Sequence, residues 1–167
     1  MTTQQSSTES ANTSRNLERK RFEEALFRSQ SAVVIVGLWL KNLGYYVTVE
    51  ELKPIGSGVD FTDLKAAKDG KTHLYEVKHN YNIKFTCRED WPKHFNGMFV
   101  SNIKSANERL NRTRAWIIVS GTCRHIAVID VKTHPHWEIV TKIPKNTNQE
   151  EQFYRCPLDY IKFIEII

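Results

Sequence analysis

The dipeptide Asp69-Gly70 constrains the fold more than any other feature of this 167-residue chain. Asp-Gly is strongly favoured in two-residue hairpin turns, because both central residues of such a turn need a positive φ. Residues 59–66 and 72–79 flank it, and both segments are rich in β-forming side chains. The sequence therefore predicts two antiparallel strands that follow each other directly and lie side by side.

Hydrophobic spacing predicts helices before and after this hairpin. Residues 16–43 carry apolar side chains three and four positions apart, which indicates one long helix with a single buried stripe. Gly44 is placed to end that helix in a left-handed conformation. Residues 45–52 predict a strand ahead of the hairpin. A second helix is expected to start near Asp90, with a buried stripe of Phe95, Phe99, Ile103, Ala106 and Leu110.

The remaining segments complete an α/β architecture. Residues 114–120 form a continuous apolar run, which suits a strand in a sheet covered on both faces. Two more strands are predicted at residues 125–131 and 137–143, while residues 158–167 fit either a short helix or an edge strand. The order predicts a mixed central β-sheet flanked by helices. Residues 1–14 are expected to be a disordered tail and residues 15–167 a single domain.

Charge and cysteine content narrow the class of protein. Lys and Arg outnumber Asp and Glu by 24 to 19, and a net charge of +5 mildly favours a polyanionic partner such as nucleic acid. Cys87, Cys123 and Cys156 lie far apart without a CxxC pair, which argues against a disulfide scaffold or a zinc ribbon and fits a reducing intracellular setting. The longest apolar run has nine residues, whereas a membrane span needs about twenty, so no membrane partner is expected.

The hairpin carries residues that could bind a metal ion and activate a water molecule. Glu76 and Lys78 alternate with Val77, so their side chains share one face of the strand, and the hairpin can bring Asp60 near them. Two carboxylates, with the Val77 backbone carbonyl as a further ligand, can hold Mg²⁺ or Mn²⁺ at a phosphate. Lys78 can polarise or deprotonate a water and stabilise transition-state charge. Asp63 is a rival to Asp60, but alternation from Asp60 points it to the opposite face.

The pattern Gly-Val-Asp60, then a fifteen-residue gap, then Glu76-Val-Lys78 resembles the PD-(D/E)XK nuclease superfamily. In that superfamily a helix precedes a three-stranded meander that carries the Asp and the Glu-x-Lys, and a second helix and a strand follow; this order matches residues 17–120. Val59 departs from the usual proline. The resemblance implies a restriction-endonuclease-like core (α-β-β-β-α-β) and metal-dependent cleavage of phosphodiester bonds, usually in DNA.

The same resemblance suggests supporting residues. The superfamily often adds an acid from the first helix, but no acid stands at the expected position here, which leaves Gln30 or the upstream Glu23 as accessory candidates. His79 directly follows the lysine and either touches a phosphate or finishes the strand. The predicted second helix and its exit are basic and amide-rich, which suits contacts to phosphates and sugars, although surface charge alone is the alternative. These nucleic-acid-binding candidates are Asn102, Lys104, Arg109 and Arg112.

The main expectation is therefore a metal-dependent deoxyribonuclease, and a homodimer is possible because junction-resolving members of that superfamily work as dimers. The missing helix acid keeps open a different class: a nuclease-fold domain that binds nucleic acid or a protein partner without cutting. A third interpretation is a structural α/β module in which Glu-x-Lys occurs by chance. Binding of a divalent metal separates this third interpretation from the other two.

Overall fold

The computed structural model describes residues 29–49, 63–144 and 149–166. Residues 29–42 form helix α1, and Gly44 follows it with a φ of 84°. The Lys68 ammonium donates a 2.7 Å hydrogen bond to the Leu43 carbonyl, which satisfies an otherwise unpaired acceptor at the helix end. The helix end predicted at Gly44 is therefore confirmed. The predicted tail (residues 1–14) and the predicted first part of the helix lie outside the described residues.

Nine strands and a second, five-residue helix are described after α1. In chain order these elements are β1 (Tyr46–Val49), β2 (Leu64–Lys68), β3 (Lys71–Asn80), β4 (Met98–Asn102), α2 (Ile103–Asn107), β5 (Thr113–Ser120), β6 (His125–Asp130), β7 (Glu138–Lys142), β8 (Glu151–Cys156) and β9 (Lys162–Glu165).

The main sheet has six strands in the order β1-β2-β3-β5-β6-β9. Strands β3 and β5 run parallel, and the other neighbouring pairs are antiparallel. The mixed sheet of an α/β fold is thus as predicted. Asp69 and Gly70 have φ values of 50° and 73°, the left-handed pair that a tight hairpin turn needs, and they confirm the predicted pairing of β2 with β3.

The predicted second helix is wrong over most of its length. Residues 98–102 form strand β4, which pairs with β8 in a separate three-stranded sheet of order β4-β8-β7, and only α2 is α-helical in this segment. Met98 and Val100 are fully buried while Phe99 between them is not, so a two-residue alternation decides the structure rather than the helical spacing. Asn96 and Gly97 have φ values of 50° and 155°, which no continuous helix accommodates.

The main sheet is covered on both faces. Helix α1 packs on one face through Ala32, Val36 and Leu40, which join a core with Val77 and Ile117. The three-stranded sheet packs on the other face, where a second core forms. The buried residues of that second core include Met98, Val100, Trp116, Ile118, Ala127, Ile129 and Cys156. Successive residues of β3 therefore point into different layers, and Glu76 and Lys78 face the three-stranded sheet.

The ambiguous last segment is resolved. A 3₁₀ turn at Leu158–Tyr160 leads into β9, which pairs antiparallel with β6 as an edge strand. Strand β8 is not predicted from the sequence, although it forms the centre of the smaller sheet. Within the described ranges, no helix is both long enough and apolar enough to cross a membrane.

Gly97 gives a test of how closely the start of β4 approaches its partner strand β8 within the smaller sheet. A Cβ at this position, where φ is 155°, would lie 2.5 Å from the Cys156 carbonyl oxygen on β8. We expect Gly97→Ala to lower the free energy of unfolding by about 3 kcal/mol, through backbone strain and the clash. Gly70→Ala is the matched control, because its φ is also positive but no atom of the described residues lies within 4 Å of the added Cβ. Gly70→Ala should lower the free energy of unfolding by only about 1 kcal/mol. Equal losses in urea titrations would contradict the close approach.

Candidate functional site

Asp63 lies beside Glu76 at the open end of the hairpin. Leu64 pairs with Tyr75, so one step further along both strands Asp63 stands opposite Glu76. Residues that face each other across an antiparallel pair have side chains on the same face of the sheet. Asp63 Oδ2 accepts a 2.7 Å hydrogen bond from the Val77 N–H, which fixes the carboxyl group at this position. The predicted catalytic residue Asp60 lies outside the described residues, and its rival Asp63 occupies the face of Glu76.

Glu76 is a buried carboxyl with one oxygen engaged. Its residue surface is only 5% exposed. The Arg109 Nη1 atom donates to Glu76 Oε2 at 2.7 Å, and this guanidinium side chain is 24% exposed. Glu76 Oε1 is buried and has no hydrogen-bond partner among the described residues. An unpartnered buried oxygen is costly, because it has left water without a replacement donor, so this atom is suited to bind a cation.

The environment of Asp63 and Glu76 disfavours ionisation of both carboxyl groups at once. Burial, together with the neighbouring Asp63 carboxylate, raises the pKa of Glu76 to about 7, against the opposing charges of Arg109 and Lys78. Burial also raises the pKa of Asp63, against the hydrogen bond from Val77 and the charges of Arg109 and Lys78. Two crowded carboxyls in a poorly solvated position bind either a proton or a cation.

Lys78 completes the group on the same face. Its ammonium donates to the Val100 carbonyl on β4, so it connects the main sheet with the smaller sheet. Burial lowers the pKa of Lys78, while the Glu76 and Asp63 carboxylates raise it. The residue as a whole retains an exposed surface, and solvent therefore moderates the desolvation. A lysine with a lowered pKa has a larger neutral fraction near neutral pH and can accept a proton.

The donor set fits a divalent cation. The N–H and C=O of one strand residue point to the same neighbouring strand, so the Val77 carbonyl points to the side on which Asp63 lies. Carboxylates and a carbonyl are the hard oxygen donors that Mg²⁺ and Mn²⁺ prefer, and Mg²⁺ is usually held by one or two carboxylates together with water. No group of three His, Cys, Asp or Glu side chains suited to a metal is present among the described residues.

The predicted nucleic-acid-binding residues have different surroundings. Arg109 contacts Glu76 directly, a contact that the sequence did not indicate. The Asn102 side chain accepts from the Lys104 N–H and donates to Glu151, so it caps α2 and ties β4 to β8. Lys104 is exposed on α2, and Arg112 is half-buried.

The two accessory candidates that the structure describes, His79 and Gln30, do not share the face of Glu76, although His79 lines a pocket beside Lys78. His79 alternates with Lys78 along β3, and its Nε2 lies 3.6 Å from the Cys123 sulfur. Gln30 is exposed on α1, the helix that covers the opposite face of the main sheet. Glu23 lies outside the described residues. The described site therefore consists of Asp63, Glu76, Lys78 and Arg109, with the Val77 backbone.

Comparison of the chain with protein-family models, with curated proteins and with solved structures gives no match. Its functional interpretation depends on the chemistry of the site itself.

Proposed function

We propose that this chain is a metal-dependent nuclease of the PD-(D/E)XK kind that hydrolyses phosphodiester bonds, with DNA as the expected substrate. The observation that carries the proposal is the convergence of Asp63 and Glu76 at the end of the β2–β3 hairpin, with Lys78 on the same face. In this proposal Asp63 takes the role that the sequence motif assigns to Asp60.

Each residue of the site has a definite task. A Mg²⁺ or Mn²⁺ ion held by Asp63, Glu76 and the Val77 carbonyl would supply Lewis-acid chemistry at a phosphodiester. Asp63 is oriented by its hydrogen bond from Val77, and Glu76 presents an oxygen without a partner in the described part of the chain. Lys78 in its neutral form can accept the proton of the attacking water, and in its charged form can stabilise the negative charge that develops on phosphate oxygens.

One observation favours a second candidate function, a nuclease-fold domain that binds without cutting. The Arg109 guanidinium lies 2.7 Å from Glu76 and already neutralises part of its charge. An internal cation next to the acidic residue is the arrangement expected of a site that does without a metal ion. The two functions differ in whether the protein binds a divalent cation at Glu76.

The decisive experiment is a cleavage assay on single-stranded, duplex and branched DNA and on RNA. We expect cleavage with Mg²⁺ or Mn²⁺ and none with EDTA. Calorimetric titration with Mn²⁺ should show binding that Glu76→Gln removes. Nucleic-acid binding without cleavage, together with no heat of Mn²⁺ binding, would establish the non-cutting domain instead.

The raised pKa of Glu76 predicts that metal binding depends on pH. A cation must displace the proton, so affinity for Ca²⁺ or Mn²⁺ should rise by about tenfold per pH unit below pH 7 and level off above it. Calorimetry in buffers of different ionisation enthalpy should show about one proton released per ion at pH 6 and little release at pH 8. Affinity that does not change between pH 5.5 and 8 would contradict the raised pKa.

The same shift has a consequence for the metal-free protein. A carboxyl whose pKa rises from 4.5 in the unfolded chain to about 7 in the fold binds more protons when folded. Its contribution to stability is fully present below pH 4.5 and is lost as the pH rises through 7. Added Mn²⁺ should restore that stability at pH 8 and have little effect at pH 5, which thermal unfolding with and without the ion can measure.

A further inference from the structure

A pocket of about 200 Å³ adjoins Lys78, between the end of β3 and residues 91–99. Three aromatic residues line it, Trp91, Phe95 and Phe99, together with apolar side chains that include Met98 and Ile118. Lys78, His79 and Asn80 also line the pocket, and of these Lys78 and Asn80 share one face of β3 because they are two positions apart. The pocket is therefore aromatic, with a few polar groups next to the proposed site of cleavage.

The aromatic wall is held in place by contacts to its backbone. The Trp91 indole N–H donates to the Gly97 carbonyl at 3.0 Å, so this nitrogen is engaged and the ring offers only carbon to a ligand. The Phe95 carbonyl accepts from Arg155 at 3.2 Å, and Gly97 closely approaches Cys156 on β8. The Trp91 and Phe95 ring centroids are 6.0 Å apart. A wall fixed in this way binds a ligand without the cost of ordering it first.

We propose that this pocket takes one unpaired nucleobase of the strand that is cut, a proposal that rests on the nuclease function above. Pockets for drug-sized ligands occupy roughly 300–1,000 Å³, so the smaller volume here suits a single ring system. Aromatic side chains bind bases by stacking, and they tolerate any sequence because every base has a π-face. The Asn80 amide can donate to and accept from the edge of a base.

The position of Lys78 links the pocket to the substrate. Lys78 belongs both to the pocket lining and to the group formed with Asp63 and Glu76, so a base in the pocket belongs to a nucleotide next to the phosphate at those carboxylates. A base inside a duplex is stacked and paired, and only an unpaired one enters without being flipped out. The substrate class is therefore single-stranded nucleic acid, or the unpaired nucleotides of an end or a branch.

The test compares binding of one oligonucleotide in single-stranded and duplex form, by fluorescence anisotropy with Ca²⁺ present. Phe95→Leu should weaken binding of the single strand by roughly fivefold or more and leave duplex binding unchanged. Phe153→Leu is the matched control: this residue is half-buried and its ring centroid lies 6.1 Å from that of Phe99 in an edge-to-face arrangement, but it does not line the pocket. The Phe153→Leu variant should bind the single-stranded oligonucleotide as tightly as the unchanged protein does. Asn80→Ala, which leaves the aromatic wall intact, should also weaken single-strand binding.

An oligonucleotide with one abasic residue, moved along the strand, locates the base that occupies the pocket. At one position in the strand, the abasic residue should weaken binding of the oligonucleotide to the unchanged protein but not to the Phe95→Leu variant. Equal binding of single strand and duplex, an equal loss in Phe153→Leu, or no effect of the abasic residue would each overturn the pocket proposal. Metal-dependent cleavage with any of these results leaves the nuclease function standing. Position-dependent binding without cleavage retains the pocket and refutes the nuclease.

Discussion

Asp63→Asn is expected to lower metal-dependent cleavage by about a thousandfold, and Asp60→Asn to lower it only slightly. Asp63 stands opposite Glu76 and accepts the hydrogen bond from Val77. The asparagine side chain retains an oxygen for that hydrogen bond, so the hairpin should keep its structure. It lacks the negative charge that a divalent ion needs, and loss of such charge stabilisation is worth several kcal/mol in the transition state.

Single-turnover cleavage at saturating Mn²⁺ checks this result. Glu76→Gln and Lys78→Met give the reference loss of cleavage rate with which Asp63→Asn is compared. Removal of a metal ligand or of the proton acceptor affects the transition state more than substrate binding. All three variants should still bind nucleic acid in Ca²⁺. If Asp60→Asn is inactive while Asp63→Asn retains full activity, the assignment to Asp63 is wrong and the motif-based residue is the ligand.

Arg109→Ala is expected to have two opposite effects, depending on whether a cation is present. Without metal the variant leaves a buried carboxylate without its partner, and the free energy of unfolding should fall by about 3–5 kcal/mol. With metal present, the affinity for Mn²⁺ should rise by about tenfold or more, because a positive charge next to Glu76 no longer repels the ion. Thermal unfolding and calorimetry at pH 8 measure the two effects separately.

Lys104→Ala provides the matched control. Lys104 is an exposed cation on α2, five residues before Arg109 in the sequence. Its removal should change neither stability nor metal affinity, and should only flatten the salt dependence of nucleic-acid binding, by about one unit of log–log slope. If Arg109→Ala instead weakens Mn²⁺ binding, Arg109 orients Glu76 for the metal and does not compete with it.

The hairpin shows how much of the site the sequence determines. A two-residue turn fixes the pairing, since each step outward from Asp69-Gly70 adds one residue from each strand, and this brings Asp63 opposite Glu76. The shared face of Glu76 and Lys78 follows from alternation alone. The motif Gly-Val-Asp60 points instead to Asp60, which lies outside the described residues, so the choice between the two aspartates stays a prediction.

Other features could not be predicted because distant contacts decide them. The apolar residues from Phe95 to Leu110 fit a helical spacing, whereas Met98 and Val100 fit a strand, and the pairing of β4 with β8 settles which of these forms. That partner lies about fifty residues further along the chain. The contact of Arg109 with Glu76 likewise depends on how α2 and β5 bring residue 109 back to β3.

The pairing of β4 with β8 also affects the order in which parts of the site form during synthesis of the chain. Strands β2 and β3 are joined by a two-residue turn and can pair as soon as they leave the ribosome, which places Asp63 and Glu76 together early. The Val100 carbonyl that Lys78 contacts lies on β4, whose partner strand β8 is made much later. Pairings over such sequence separations form slowly, because a long loop must close first. A nascent chain would therefore assemble its acidic residues well before Lys78 gained the contact with β4 that holds its ammonium in place.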